Sequence, residues 1–251
     1  MIWEKKIIKK TISHVSETNH EYSPLMRVGI ETYPIPFFGC MSDARVVTLG
    51  LNPSCNEFRN RKWDGITNEN LWEKLVGYFA SQDPPPHRYF GVWTAAISHI
   101  NASYLKDTVH LDLSPRATRA AGQFQTEPSI SLFIKMLRED AHIWLGAVEA
   151  MQEIEIILSA GSATKKYFIN EFIKSELNDL RIRLEGDWQR GAGPGQTAFH
   201  TLILPSGREI PFFFCSTGPS APGGGPILEN ALYTNAQRIN KIRKSTSKKR
   251  G

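Results

Sequence analysis

Four short apolar runs constrain this chain more than any other feature. Arg45–Leu51 (RVVTLGL), Thr108–Leu113 (TVHLDL), Glu155–Ala160 (EIILSA) and Glu209–Cys215 (EIPFFFC) are β-branched or aromatic and nearly continuous. Runs of this kind suit parallel strands covered on both faces. Helical patterns separate them: Asn68–Ala80 and Phe90–Asn101 in the first gap, Ser129–Glu153 in the second, Ala163–Leu184 in the third. The alternation predicts an α/β chain, a three-layer αβα sandwich around a central four-stranded, mainly parallel sheet with right-handed crossovers. His200–Leu204, Pro205-Ser206-Gly207 and Arg208–Cys215 read as a hairpin that adds an edge strand, and 186–198 reads as a loop. No linker divides the body. The expected organisation is one domain over 1–242 and a basic, disordered tail over 243–251.

The chain has 251 residues, 41% apolar and 22% charged, enough to bury a substantial core. No apolar run reaches the ~18–20 residues of a membrane span. The N-terminus, MIWEKKIIKK, lacks the apolar region and cleavage site of a secretory signal, so the expected compartment is the cytoplasm, with no membrane partner. Cys40, Cys55 and Cys215 are odd in number and far apart, which excludes a disulfide scaffold and four-cysteine zinc or iron–sulfur sites. The seven histidines show no HxH or HxxxH spacing, so neither metal nor cofactor is expected. The formal charge of +5 combines +7 in 236–251, +3 in 1–10 and −5 in the body between. Basic ends on an acidic body attract polyanions, and nucleic acid is the expected partner.

In an open α/β sheet, ligands gather beyond the carboxyl ends of the strands. Here those segments are small, polar and rich in Gly and Pro: Asn52–Asn56, Ser114–Arg119, Gly161–Lys165 and Ser216–Gly225. None is a phosphate loop, a dinucleotide fingerprint or a GxSxG elbow.

The first of these segments carries the sharpest signal. Val46–Ser54 (VVTLGLNPS) resembles the first active-site motif of the uracil-DNA glycosylase superfamily, a strand ending in Gly-x-(Asp/Asn)-Pro. Gly218-Pro219-Ser220 resembles the second motif, usually His-Pro-Ser or Asn-Pro-Ser, and Ala231–Ile242 resembles the closing helix with its Asn at Asn235. The resemblance covers about residues 44–242 and implies a uracil-DNA glycosylase-like fold. It further implies a monomeric enzyme that flips a nucleotide from duplex DNA and hydrolyses its N-glycosidic bond. The transition state places positive charge on the sugar and negative charge on the departing base.

In that reading Asn52 holds the attacking water, and Ser220 joins it as a candidate catalytic residue, although no sequence context names a base for its hydroxyl. Gly50, Pro53, Ser54, Phe58, Trp63, Asp112, Arg116, Gly218 and Pro219 are the candidate substrate contacts. Trp63 stands near the family's base-stacking Phe, with Phe58 as competitor, and Arg116 and Arg119 are placed to hold phosphates or a polar adduct. Ser162, Lys165, Pro222, Gly223, Gly224, Arg243, Lys244 and Lys248 are the candidate DNA contacts. Pro222 stands for the family's Leu wedge, and the glycine-run amides stand in for a missing donor.

Three departures from strict uracil enzymes point one way. Ser54 replaces the Tyr that blocks substituents on C5 of the base. Gly218 replaces the motif-two His that donates to the leaving group. Asp112 lies near the Asn that reads the pyrimidine edge, and an ionised carboxylate only accepts, which suits the N4 amino group of cytosine and opposes O4 of uracil. The chain is thus similar to bacteriophage-replication-inhibiting glycosylases, with hydroxymethylated or glucosylated cytosine as expected substrate. The alternatives are a uracil or mismatch repair glycosylase, a non-catalytic nucleic-acid-binding protein on the same fold, and a nucleoside N-glycosidase.

Overall fold

The computed structural model describes residues 2–27, 32–55, 57–59, 63, 65–81, 86–119, 126–173, 183–185 and 195–248. The strands are β1 (Phe37–Phe38), β2 (Val46–Gly50), β3 (Thr108–Asp112), β4 (Ile156–Ala160), β5 (Arg183–Glu185), β6 (Thr197–Ile203) and β7 (Glu209–Cys215). The helices are α1 (Ile2–Thr18), α2 (Leu71–Val76), α3 (Arg88–Ser98), α4 (Glu127–Glu139), α5 (Ala141–Ala150), α6 (Ser162–Thr164), which continues as π-helical turns over Lys165–Ile173, and α7 (Gly224–Lys248). The protein is α/β, and its strands form a mixed sheet in the order β1-β3-β2-β4-β7-β6-β5. No described helix is long and apolar enough to cross a membrane.

The chain forms two compact units. Residues 1–42, 50–87 and 110–152 make the first, and 43–49, 88–109 and 153–251 the second. In the second unit β2 pairs parallel with β4, and β4 parallel with β7, with Ser159 opposite both Leu49 and Phe214. Val46, Val47, Ile156, Ile157, Leu158 and Phe212 are fully buried, and Phe213 and Phe214 nearly so. Each such side chain contributes about 1.5–3 kcal/mol. Burial on both faces removes the polar–apolar alternation, which is why these strands are readable as continuous runs. Thr48, a polar residue in this interior, is satisfied by the Tyr104 hydroxyl at 2.7 Å. The hairpin is present: β6 runs antiparallel to β7, and β5 extends it antiparallel to β6. Among the described residues the sheet therefore has seven strands and antiparallel borders, where the sequence predicts a four-stranded centre with one added edge.

In the first unit β1 pairs antiparallel with the end of β3, Phe37 opposite Leu111 and Phe38 opposite His110. Helix α1 buries Glu4, Ile8 and Thr11, one stripe at helical spacing. Its Glu4 accepts hydrogen bonds from the Met41 and Ser42 amides and from Trp72 Nε1 (3.1–3.2 Å). The single helix expected over Ser129–Glu153 is broken at Asp140 into α4 and α5.

Candidate active site around Asn52

Strand β2 ends at Gly50, in the first unit, and a glycine is required there. A Cβ at Gly50 would collide with Asp112 Oδ1 and lie 3.1 Å from His110 Nε2. The first glycine of the Gly-x-Asn-Pro motif thus leaves room for a carboxylate from β3. Asp112 is buried, and its Oδ1 lies 3.4 Å from His110 Nε2. His110 and Asp112 are two residues apart on one strand and therefore share a face. Metal-ligand spacing among the histidines does not single out His110. The His-x-Asp alternation within a predicted strand is the signal that does.

Beyond Gly50 the chain is fastened to the segment after β3. The amides of Leu113 and Ser114 donate to the carbonyls of Gly50 and Leu51 (3.1 and 3.0 Å). Thr118 N donates to Pro53 O at 3.3 Å, and Cys55 N to Thr118 O at 3.2 Å. Asn52, half-buried in this frame, donates from Nδ2 to Pro53 O (2.9 Å), Arg116 O (3.2 Å) and Thr118 Oγ1 (2.8 Å). Among the described residues nothing donates to its Oδ1. Ser54, also half-buried, bridges to Thr118.

The aromatic residues divide differently from the expectation. Trp63 is 6% exposed, and its Nε1 donates to Glu57 Oε1 at 3.2 Å. It packs against Phe58, ring centroids 5.0 Å apart, with Phe38 and Tyr78 beyond. Phe58 is half-buried and is the more accessible ring, so it replaces Trp63 as the candidate stacking surface. The buried Glu57 carboxylate also accepts the Tyr78 hydroxyl; burial first, then that negative charge, push the Tyr78 phenol well above its ordinary value.

Arg116 is not a substrate contact. It is 2% exposed and donates from Nε to both carboxylate oxygens of Asp140, 3.0 and 3.2 Å away. Its other nitrogens face Val15 O, Asn19 Oδ1 and Thr18 Oγ1 of the α1 region, and its plane lies over Tyr22. Arg119 is half-buried and donates from Nη2 to Pro24 O at 2.8 Å, an exposed contact. An arginine after a strand reads as exposed from sequence, whereas here a buried carboxylate 24 residues away captures Arg116.

The second motif lies in the second unit. Gly218 is packed on backbone: a Cβ there would be 2.9 Å from Gly161 Cα and 3.2 Å from Ala160 O. Gly161 has φ +116°, and a Cβ on Gly224 would collide with Gly218 O. A histidine at 218 is therefore excluded by three glycines that allow backbone to touch backbone. Ser216 and Thr217 are tied to Gln196 and Gly195. Pro219 is half-buried; Ser220, Pro222 and Gly223 are exposed. Gly224 N donates to Ala221 O at 2.9 Å, so this amide is engaged and does not replace the missing donor. Among the described residues no base is hydrogen-bonded to the Ser220 hydroxyl. Ser162 is exposed and Lys165 half-buried at the start of α6 and its continuation.

The tail also departs from expectation. Helix α7 runs to Lys248, so 243–248 are helical, not disordered. Arg243 donates to Glu155 Oε2 (2.6 Å), Asp107 Oδ2 (2.9 Å) and Ile100 O (2.7 Å). It ties α7 to two acidic residues, so the guanidinium expected to contact DNA is engaged within the chain. Lys244 is exposed; the side chains of 247–251 lie outside the described residues.

Among the described residues no cluster of three or more His, Cys, Asp or Glu is placed to hold a metal ion. No protein-family model matches the chain, and no curated protein is significantly similar to it.

Proposed function

We propose that this chain is a monofunctional DNA glycosylase for a flipped, C5-modified cytosine, such as hydroxymethylcytosine or its glucosylated form in phage DNA. The observation that carries the reading is the first-motif loop. Asn52 is held by its amide nitrogen, and no described residue donates to its carbonyl oxygen, on a chain whose Gly50 is packed under the Asp112 carboxylate. Asn52 Oδ1 accepts a hydrogen bond from the attacking water. The water oxygen bonds to the sugar C1′ as the C1′–N1 bond breaks, its electron pair leaves with the base, and the surplus proton passes to solvent. Orientation is what this step needs, because a cationic sugar requires little help from a base. Asp112 accepts from the N4 amino group, Ser54 leaves space at C5, and Phe58 offers a stacking face worth about 1–3 kcal/mol. The parallel pairing of β2 with β4 and of β4 with β7 supports the uracil-DNA glycosylase-like, three-layer fold that this reading implies. Gly218, which has no side chain to donate to the leaving base, favours a second reading, a non-catalytic DNA-binding protein.

Duplexes carrying hydroxymethylcytosine, glucosylated hydroxymethylcytosine, uracil or a thymine mismatch, assayed for alkali-labile abasic sites, separate these readings. Release of the modified cytosine alone is expected; uracil release marks a repair enzyme, and no release marks the binding protein. Asp112→Asn supplies a group that also donates, so discrimination is expected to move toward uracil by about tenfold to a hundredfold, the cost of about 1–3 kcal/mol for an unpaired buried group. An unchanged uracil-to-cytosine ratio removes Asp112 from base reading.

The reading assigns affinity without specificity to the chain end. Deleting 244–251 removes Lys244, Lys248, Lys249 and Arg250 while sparing Arg243. The slope of log affinity against log salt on duplex DNA is expected to fall by about 0.9 for each phosphate that the shortened chain no longer neutralises. An unchanged slope shows that this end does not touch the backbone.

A further inference from the structure

We infer that Thr118 is a positioning residue for Asn52, and that its cradle accepts an amide and rejects a carboxylate at position 52. The inference rests on the glycosylase reading for its kinetic part only. The carbonyls of Pro53 and Arg116 have no proton to give, and both lie within 3.2 Å of the same atom of Asn52. Thr118 Oγ1, the third neighbour at 2.8 Å, has already directed its hydroxyl proton to Arg119 O at 2.7 Å and so presents a lone pair. Three acceptors therefore surround one end of the side chain, and only the NH2 group, with two protons to share among them, has any to give. This fixes the orientation of the amide and leaves Oδ1 without a described donor, able to accept a hydrogen bond from water. Thr118 is fully buried and sits where the two segments are zipped together, so its hydroxyl is held in turn. A carboxylate at 52 would set a negative oxygen against three acceptors; only its protonated form has a proton to give them.

Two measurements test this. In Asn52→Asp the introduced carboxyl titrates higher in the folded chain than its unfolded value of about 3.9. Its destabilisation relative to wild type is then full above the folded value and fades as pH falls through it. The Tm deficit against wild type at the same pH is expected to be several degrees near pH 8 and to shrink toward pH 5. A deficit that is absent, or the same at both values, overturns the inference. In the base-release assay, Thr118→Val is expected to lower kcat about tenfold with KM unchanged, because orientation of the water acts in the transition state. Thr118→Ser, which keeps the hydroxyl, restores most of that loss. Equal rates for Val and Ser overturn the positioning role. Wild-type protein that releases no base overturns the glycosylase reading instead, and the pH dependence of the Asn52→Asp deficit then decides the cradle by itself.

Discussion

Replacing Asn52 with Ala is expected to lower the rate of base release by about 100-fold or more, with little change in KM. A misplaced reactant alone costs about that factor, and under the proposed mechanism alanine removes the group that holds the water. The proposed base contacts, Asp112 and Phe58, remain, so the loss is expected to fall on kcat. The side chain also fastens the loop. Three hydrogen bonds disappear, but the position is half-buried and water replaces part of them, so the stability cost is about 1–2 kcal/mol. For a chain of this length that is a Tm loss of a few degrees. Single-turnover release with thermal denaturation on the same preparation checks both. Turnover within a few-fold of wild type would remove Asn52 from the chemistry.

The largest stability effect is expected at Asp140, remote from any proposed chemistry. Its carboxylate is fully buried and accepts from His14 Nε2 (2.8 Å), Ser114 Oγ (2.5 Å) and Arg116 Nε (3.0 Å). Asp140→Ala leaves the Arg116 guanidinium buried without its counter-charge, which costs about 3–5 kcal/mol. At roughly 2–4 °C per kcal/mol for this size, Tm should fall by about 10 °C. Combining Arg116→Met with Asp140→Leu should lose much less than the two single changes together, since neither charge is then stranded. Additive losses would show that the pair is not coupled. Because Arg116 also holds α1 through Thr18 and Asn19, protease cleavage within residues 2–18 should rise in Asp140→Ala and not in Asn52→Ala.

The local pattern is legible in the order of residues alone. The four apolar runs fall on β2, β3, β4 and β7 within a residue or so at most ends, because a strand buried on both faces needs only continuous β-branched and aromatic residues. The Gly-x-Asn-Pro motif marks a strand end, and the small glycine loops mark the ends of β4 and β7. Everything that depends on a partner far along the chain is settled by the folded arrangement. Helix α1 gives a weak signal because its buried stripe contains Glu4, whose partners lie 37 to 68 residues away. The helix break at Asp140 follows no Gly or Pro; it sits where a carboxylate meets Arg116 from the segment after β3. Arg243 reads as tail charge, yet Glu155 and Asp107 claim it from 88 and 136 residues earlier. Trp63 stands ahead of Phe58 as the stacking candidate until burial reverses their order. The donors of Asn52 point where they do because of Arg116 O and Thr118 Oγ1, 64 and 66 residues on. Periodicity and turn chemistry are properties of neighbours in sequence and can be read there. Whether a charge or amide faces solvent or a buried partner is set by which distant segment the fold brings against it.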